Sequence, residues 1–167
     1  MPEWQIQSAL GSHASAIFSV HTNAFPTLSE ARLVEKLELS GDAILSLIAV
    51  VDAMIVGHVL FSQMDVTGDG KPIAAAGLAP VAVLPAFQRR GIADALIREG
   101  LRRLPKHGMV LSFVLGNPDY YGRFGYSVKA ATPFESPYAG PHFMALGLDT
   151  TAILPERGVA AYAPAFS

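Results

Sequence analysis

Cysteine is missing from all 167 residues, which excludes disulfides and thiolate catalysis. Charge is also scarce: Asp, Glu, Lys and Arg make up 16% of the chain and the formal net charge is −2, giving no reason to expect nucleic acid as a partner. No apolar run is long. The longest, residues 73–87, is broken by Gly77, Pro80 and Pro85 and falls short of the roughly 20 residues that span a bilayer. Before Glu3, Trp4 and Gln5 there is no basic region with an apolar stretch behind it, so no signal peptide is read and a cytoplasmic protein without membrane attachment is expected. A His-Glu-x-x-His pair, a His-x-His pair and an acidic loop are absent, as is a Gly-x-Ser-x-Gly elbow. No metal and no Ser-His-Asp hydrolase is therefore expected.

Apolar residues are abundant, at 51%, and the length suits a single domain over 1–167 with a real core. Strand and helix patterns alternate along it. A first strand is read at 4–7 and a helix at about 12–22. Thr27 with Glu30 has the form of a capping box opening a helix through Leu39, which ends near Gly41. The β-rich runs 43–51 and 55–64 read as a hairpin turned at Asp52-Ala53, with a second turn at 67–70. Residues 73–84 form a long strand pattern in which Pro80 suggests a bulge or bend. After Gly91, Ile92, Leu96, Ile97, Leu101 and Leu104 recur at helical spacing until Pro105. Residues 109–115 read as a buried parallel strand reached by a right-handed crossover. Asn117 and Pro118 suit a helix start. Residues 143–148 and the tail at 160–166 complete the pattern. The fold class is α/β (α+β).

Two segments carry chemistry. In the first, an apolar strand ending at Pro85 passes through Gln88-Arg89-Arg90-Gly91-Ile92-Ala93 into the amphipathic helix. The first turn of a helix has N–H groups without intrahelical partners and a positive end, so this junction is an anion site. Gly91 lets the backbone approach a ligand, and small Ala93 keeps the next turn uncrowded. The loop has neither a nucleotide-triphosphate nor a dinucleotide glycine pattern. Six of the twelve Lys and Arg residues, at 89, 90, 98, 102, 103 and 106, fall in this one stretch. A single basic face fits a phosphorylated small ligand better than a long polyanion, with Arg98, Arg102 and Lys106 read as the ordinary charged solvent face of the helix. The second segment is Gly116-Asn117-Pro118-Asp119-Tyr120-Tyr121-Gly122-Arg123-Phe124-Gly125-Tyr126.

The first segment resembles the Gln/Arg-x-x-Gly-x-Gly/Ala pattern of the GNAT superfamily of N-acetyltransferases, and Tyr121 to Tyr126 resembles the family's tyrosine motif after the second parallel strand. The resemblance implies a mixed, mostly antiparallel central sheet with splayed parallel strands, flanked by helices. It also implies acetyl-CoA as acetyl donor, with its pyrophosphate on Gln88, Arg89, Arg90, Gly91, Ile92 and Ala93, and main-chain groups of Ala82 and Val83 bonding the pantetheine. Asn117 is a further cofactor contact on this resemblance, although the family's asparagine usually stands further ahead of the tyrosine.

Acetyl transfer from a thioester to an amine needs a neutral nucleophile, a polarised carbonyl and a proton for the departing thiolate. Without cysteine, direct attack in a ternary complex is the simplest route. Tyr121 matches the family's acid, with Tyr120 as its competitor. Candidate bases are Glu30, Glu35, Glu135, His21, His58 and His142, none singled out. The loop at 132–142, with Pro133, Pro137, Gly140 and Pro141, is expected to be irregular and to present Phe134, Glu135, Tyr138 and His142 to the acceptor. The acceptor is a small-molecule or peptide amine. The oligomeric state is left open, a homodimer included. A non-catalytic acyl-CoA-binding sensor domain is the alternative function.

Overall fold

A computed structural model describes residues 3–149 and 154–167. In chain order the elements are β1 (Gln5–Ser8), α1 (Ala14–Ala24), α2 (Ser29–Ser40), β2 (Ala43–Val51), β3 (Met54–Gly68), β4 (Lys71–Pro72), β5 (Ala75–Val83), α3 (Ile92–Arg103), β6 (Leu111–Leu115), α4 (Pro118–Tyr121), α5 (Val128–Ala131), β7 (Phe134–Glu135), β8 (Phe143–Gly147) and β9 (Gly158–Tyr162). They group into two compact units. One holds the chain through Phe61 together with Ala79–Arg102, the other Ser62–Leu78 with the chain from Arg103 onward.

In the first unit β1 runs antiparallel to β2, Gln5 facing Val50 and Ser8 facing Leu47, and β3 and then β5 follow in the sheet. The turn from β2 to β3 holds Asp52 at φ 47° and Ala53 at φ 64°. That pair of left-handed residues matches the right-handed twist of a hairpin, even though the residue types are weak turn formers. Helix α3 lies on β3: Leu96 and Ile92 crowd Gly57, and the Phe61 ring fills the space beside Gly100. Ile92, Leu96 and Ile97 are fully buried, each contributing about 2 kcal/mol of apolar burial.

In the second unit β5 and β6 are parallel, with Ala75 opposite Leu111 and Gly77 opposite Phe113. On its other side β6 runs antiparallel to β8. Strand β9 pairs antiparallel with β3 from Met64–Tyr162 to Gly68–Gly158, and the two-residue β7 runs parallel to β9. Met64, Phe113, Phe134 and Phe143 centre the core of this unit. The outcome is a mixed α/β fold with a mostly antiparallel open sheet flanked by helices.

Several boundaries differ from the sequence reading. Helix α2 begins at Ser29 with Leu28 at the cap, so Thr27 is not the cap residue; its hydroxyl instead accepts from the Ser29 N–H at 3.3 Å. The expected capping box fails because Thr27 stands one residue too early for its oxygen to reach the third helical N–H. Strand β5 runs through Pro80, whose peptide bond to Ala79 is cis. The paired residues of β5 and β6 stop at Gly77 and Phe113, although β6 continues to Leu115. Residues 132–142 are not irregular throughout, since β7 lies within them. Among the described residues, no helix is long and apolar enough to cross a membrane.

Candidate active site

The loop expected to hold an anion is built at the end of β5 in the first unit. Leu84 donates its N–H to the Val56 carbonyl at 2.8 Å, so the chain stays on the sheet until Pro85 opens a single 3-10 turn. The Gln88 side-chain amide then reaches back to the Val83 carbonyl at 2.9 Å. Gln88 thus braces the loop with one N–H of its side chain. Arg89 follows at φ 64° and Gly91 at φ 92°, before α3 starts at Ile92.

Alternating left-handed residues turn successive N–H groups toward one concavity, and the first turn of α3 adds donors without intrahelical partners. At Gly91 the conformation demands glycine, while the space beside it is open: an added Cβ would meet only Trp4 Cη2, at 3.8 Å. Ile92 is buried in the core and Ala82 and Val83 are buried as well, so these three are left with main-chain roles. Arg90 forms an ion pair with Glu3 at 3.2 Å and lies over the Phe87 ring at 5.3 Å; the pair is solvent-exposed and weak. Sequence reasoning missed Trp4 and Glu3 as walls of this loop, because no spacing rule joins residues nearly ninety positions apart.

The tyrosine segment belongs to the second unit. Asn117 caps α4, its side-chain oxygen accepting from the Asp119 N–H at 2.9 Å, with Pro118 first in the helix. Asn117 therefore has a structural role at the start of α4. The Tyr121 ring is seated on Gly116, where a Cβ would come within 2.5 Å of Tyr121 Cε2. Tyr120 packs edge-on at 4.9 Å and Tyr126 at 6.1 Å. Burial raises the Tyr121 pKa above the ordinary phenol value, so its proton is held at neutral pH. Tyr120 lies under the Arg123 guanidinium and against Phe124, a packing environment distinct from the glycine seat of Tyr121.

The expected acceptor residues are dispersed within the second unit, and Phe134, expected to face the acceptor, is instead buried in the core of that unit. Glu135 is exposed on β7, Tyr138 stands edge-on to Tyr162 at 5.5 Å, and His142 Nδ1 is 3.2 Å from the Gly116 carbonyl. A cavity of about 260 Å³ under this loop is lined by Val128, Ala131, Phe134, Pro141 and Phe143 among others, and by none of those three. Among the candidate bases, His21 and His58 are fully buried and bonded to each other. Among the described residues no group of three His, Asp or Glu side chains could hold a metal ion.

The chain as a whole is similar to known proteins. The family model described as acetyltransferase (GNAT) domain matches residues 5–129. The chain is 38% identical over 133 residues to the uncharacterized N-acetyltransferase YjhQ of Escherichia coli K12, covering 78% of this chain and 74% of that one. It is 35% identical over 118 residues to the uncharacterized N-acetyltransferase YhbS of the same strain, covering 70% of each. Among solved structures, a GNAT family N-acetyltransferase, YhbS from Escherichia coli, in complex with CoA superposes with a TM-score of 0.90 at 28% identity, covering 99% of this chain and 93% of that one. A GNAT family acetyltransferase from Brucella melitensis in complex with acetyl-CoA gives 0.81 at 31%, covering 98% of each. With a strand that stops at a left-handed, glycine-opened helix start and a family match spanning that junction, the chain belongs to the GNAT acetyltransferases.

Proposed function

We propose that residues 1–167 act as one domain that transfers the acetyl group of acetyl-CoA to a primary amine of a small molecule or peptide, by direct attack without an acetylated enzyme. The observation that carries this reading is the junction at Gly91: left-handed backbone, open space beside it and, behind it, the positive N-terminal end of a twelve-residue helix. Two structural relatives crystallised with CoA and with acetyl-CoA support the identity of the donor.

Arg89, Gly91 and Ala93 would hold the pyrophosphate with their N–H groups, and main-chain atoms of Ala82 and Val83 the arm beyond it. The thioester supplies an activated carbonyl. The lone pair of a neutral amine attacks that carbon, the C–N bond forms and the C–S bond breaks. The Tyr121 phenol gives its proton to the departing thiolate, and the proton lost by the nitrogen restores the phenol through solvent. Phenol and alkyl thiol have similar ordinary pKa values, near 10 for the phenol, so a phenol is a competent proton donor to the departing thiolate. Burial of Tyr121 keeps the proton in place until the thiolate forms.

Calorimetry with acetyl-CoA, followed by a panel of amines read by release of free thiol, tests the reading. Binding with thiol release supports it, binding without release for any amine makes the protein an acyl-CoA sensor, and absence of binding overturns both.

A further inference from the structure

Tyr162 ends β9, opposite Met64 of β3, and its ring lies across Gly77 of β5, where an added Cβ would come within 2.7 Å of Tyr162 Cε1. Gly77 and Phe113 are the last pair in the parallel ladder of β5 and β6. The ring is fixed by Tyr138 at 5.5 Å, Phe143 at 6.4 Å and Phe166 at 5.0 Å. Its hydroxyl is buried and has no hydrogen-bond partner among the described residues. Tyr126 supplies the contrast within the same unit, since its buried hydroxyl is 2.8 Å from Ser112 Oγ.

A buried hydroxyl with no partner is a liability that phenylalanine would avoid with the same packing. Its retention makes sense if the partner arrives with a ligand. We propose that the Tyr162 hydroxyl accepts a hydrogen bond from an N–H of the primary amine acceptor, and that the faces of Tyr138 and Phe166 receive that amine on its way in. The inference rests on the acetyltransferase reading.

The chemistry is consistent at each step. Burial, then the neighbouring phenols of Tyr138 and Tyr121, push the Tyr162 pKa above the ordinary phenol value. The group therefore stays neutral, and a neutral phenol oxygen binds an N–H without locking the nitrogen as an ammonium. One N–H directed to Tyr162 leaves the nitrogen lone pair for attack. Tyr138 is 38% exposed, so a cationic amine can first meet an aromatic face from solvent.

Tyr162→Phe tests this with the full chain, saturating acetyl-CoA and the amine panel. The expected result is at least a tenfold rise in the amine KM, an acetyl-CoA affinity within twofold of the parent, and a melting temperature equal or higher because the lost hydroxyl had no partner. Tyr126→Phe is the control for a structural hydroxyl: its melting temperature falls and its amine KM stays. An unchanged amine KM in Tyr162→Phe overturns the proposal, as does a fall in melting temperature accompanied by weaker acetyl-CoA binding. If the parent protein releases no thiol with any amine, the acetyltransferase reading fails. Calorimetric titration of the CoA-loaded proteins with the same amines then decides on Tyr162: weaker binding to Tyr162→Phe supports the contact, and equal or absent binding to the parent and the variant overturns it.

Discussion

His21 Nε2 and His58 Nδ1 meet at 2.8 Å with their rings edge to face, 5.0 Å apart, and His58 Nε2 is in turn 2.8 Å from Ser46 Oγ. Both imidazoles are fully buried. His21 Nδ1 has no partner among the described residues, which favours one direction for the chain: His21 donates to His58 and His58 donates to Ser46, so that a lone pair rather than an N–H is left unsatisfied. The pair ties α1 to the β2–β3 hairpin in its neutral form. Burial lowers the His21 pKa from 6.5 to about 4, and burial with the charge of His21 lowers that of His58 to about 3.

Stability should therefore fall with acid. The unfolded chain takes up two protons as pH drops through about 6.5 while the folded protein does not, so the neutral pair's contribution is full above that value and is lost as pH falls toward 4. At pH 5 the loss is on the order of 2 kcal/mol per imidazole. Urea melts at pH 7.5, 6 and 5 on the parent and on a His21→Phe, His58→Leu variant measure it. The variant should show a flatter profile over this range, and an equally steep one would place the acid sensitivity in other groups.

The loop at Gly91 should couple ligand to stability. Acetyl-CoA at one hundred times its dissociation constant should stabilise the parent by about 2.7 kcal/mol. Gly91→Glu adds charge and a side chain at φ 92°, and should abolish that shift in a protein that still folds. Thermal melts with and without the ligand give the answer, and retention of the full shift in Gly91→Glu would remove the pyrophosphate from this loop.

Gln88→Ala should act more weakly. Loss of the bond to the Val83 carbonyl frees the loop without touching its N–H groups. Acetyl-CoA affinity should fall by about 1 kcal/mol, the worth of one hydrogen bond, with the amine KM unaltered. Calorimetry that finds no change would show that the turn at Pro85 holds the loop unaided.

Tyr121→Phe keeps the ring on Gly116 and removes only the hydroxyl, with the proton it carries. The catalytic constant should fall on the order of 10²-fold with acetyl-CoA binding unchanged. Tyr120→Phe, whose ring is held by Arg123 and Phe124, should stay near parental activity. Steady-state rates on the two variants decide between them; reversed effects would make Tyr120 the acid.

Replacing Glu135 and Tyr138 together by alanine should alter kcat/KM across the amine panel while acetyl-CoA affinity stays within about 1 kcal/mol. Tyr138 packs on Tyr162, so the larger share of the change should follow Tyr138→Ala alone. An unaltered order of preference among amines would move the acceptor site away from this loop.

What the sequence determined by itself was local. Hydrophobic spacing marked α3 and β6, Gly91 marked the turn into α3, and Asn117-Pro118 marked the start of α4, because each depends on residues close along the chain. The hairpin at Asp52-Ala53 was legible from its flanking strands although its turn residues are weak. Tertiary structure decided whatever joins distant positions. The wall of Trp4 beside Gly91, the buried pairing of His21 with His58, the seat of Tyr162 on Gly77 and the addition of β7 to β9 leave no periodic signal, since each is set by the register of strands and helices remote in sequence. The Tyr162 hydroxyl shows the difference most clearly. Its residue type was visible in the tail of the chain, but only packing against β5 and the surrounding rings made it buried and unpaired.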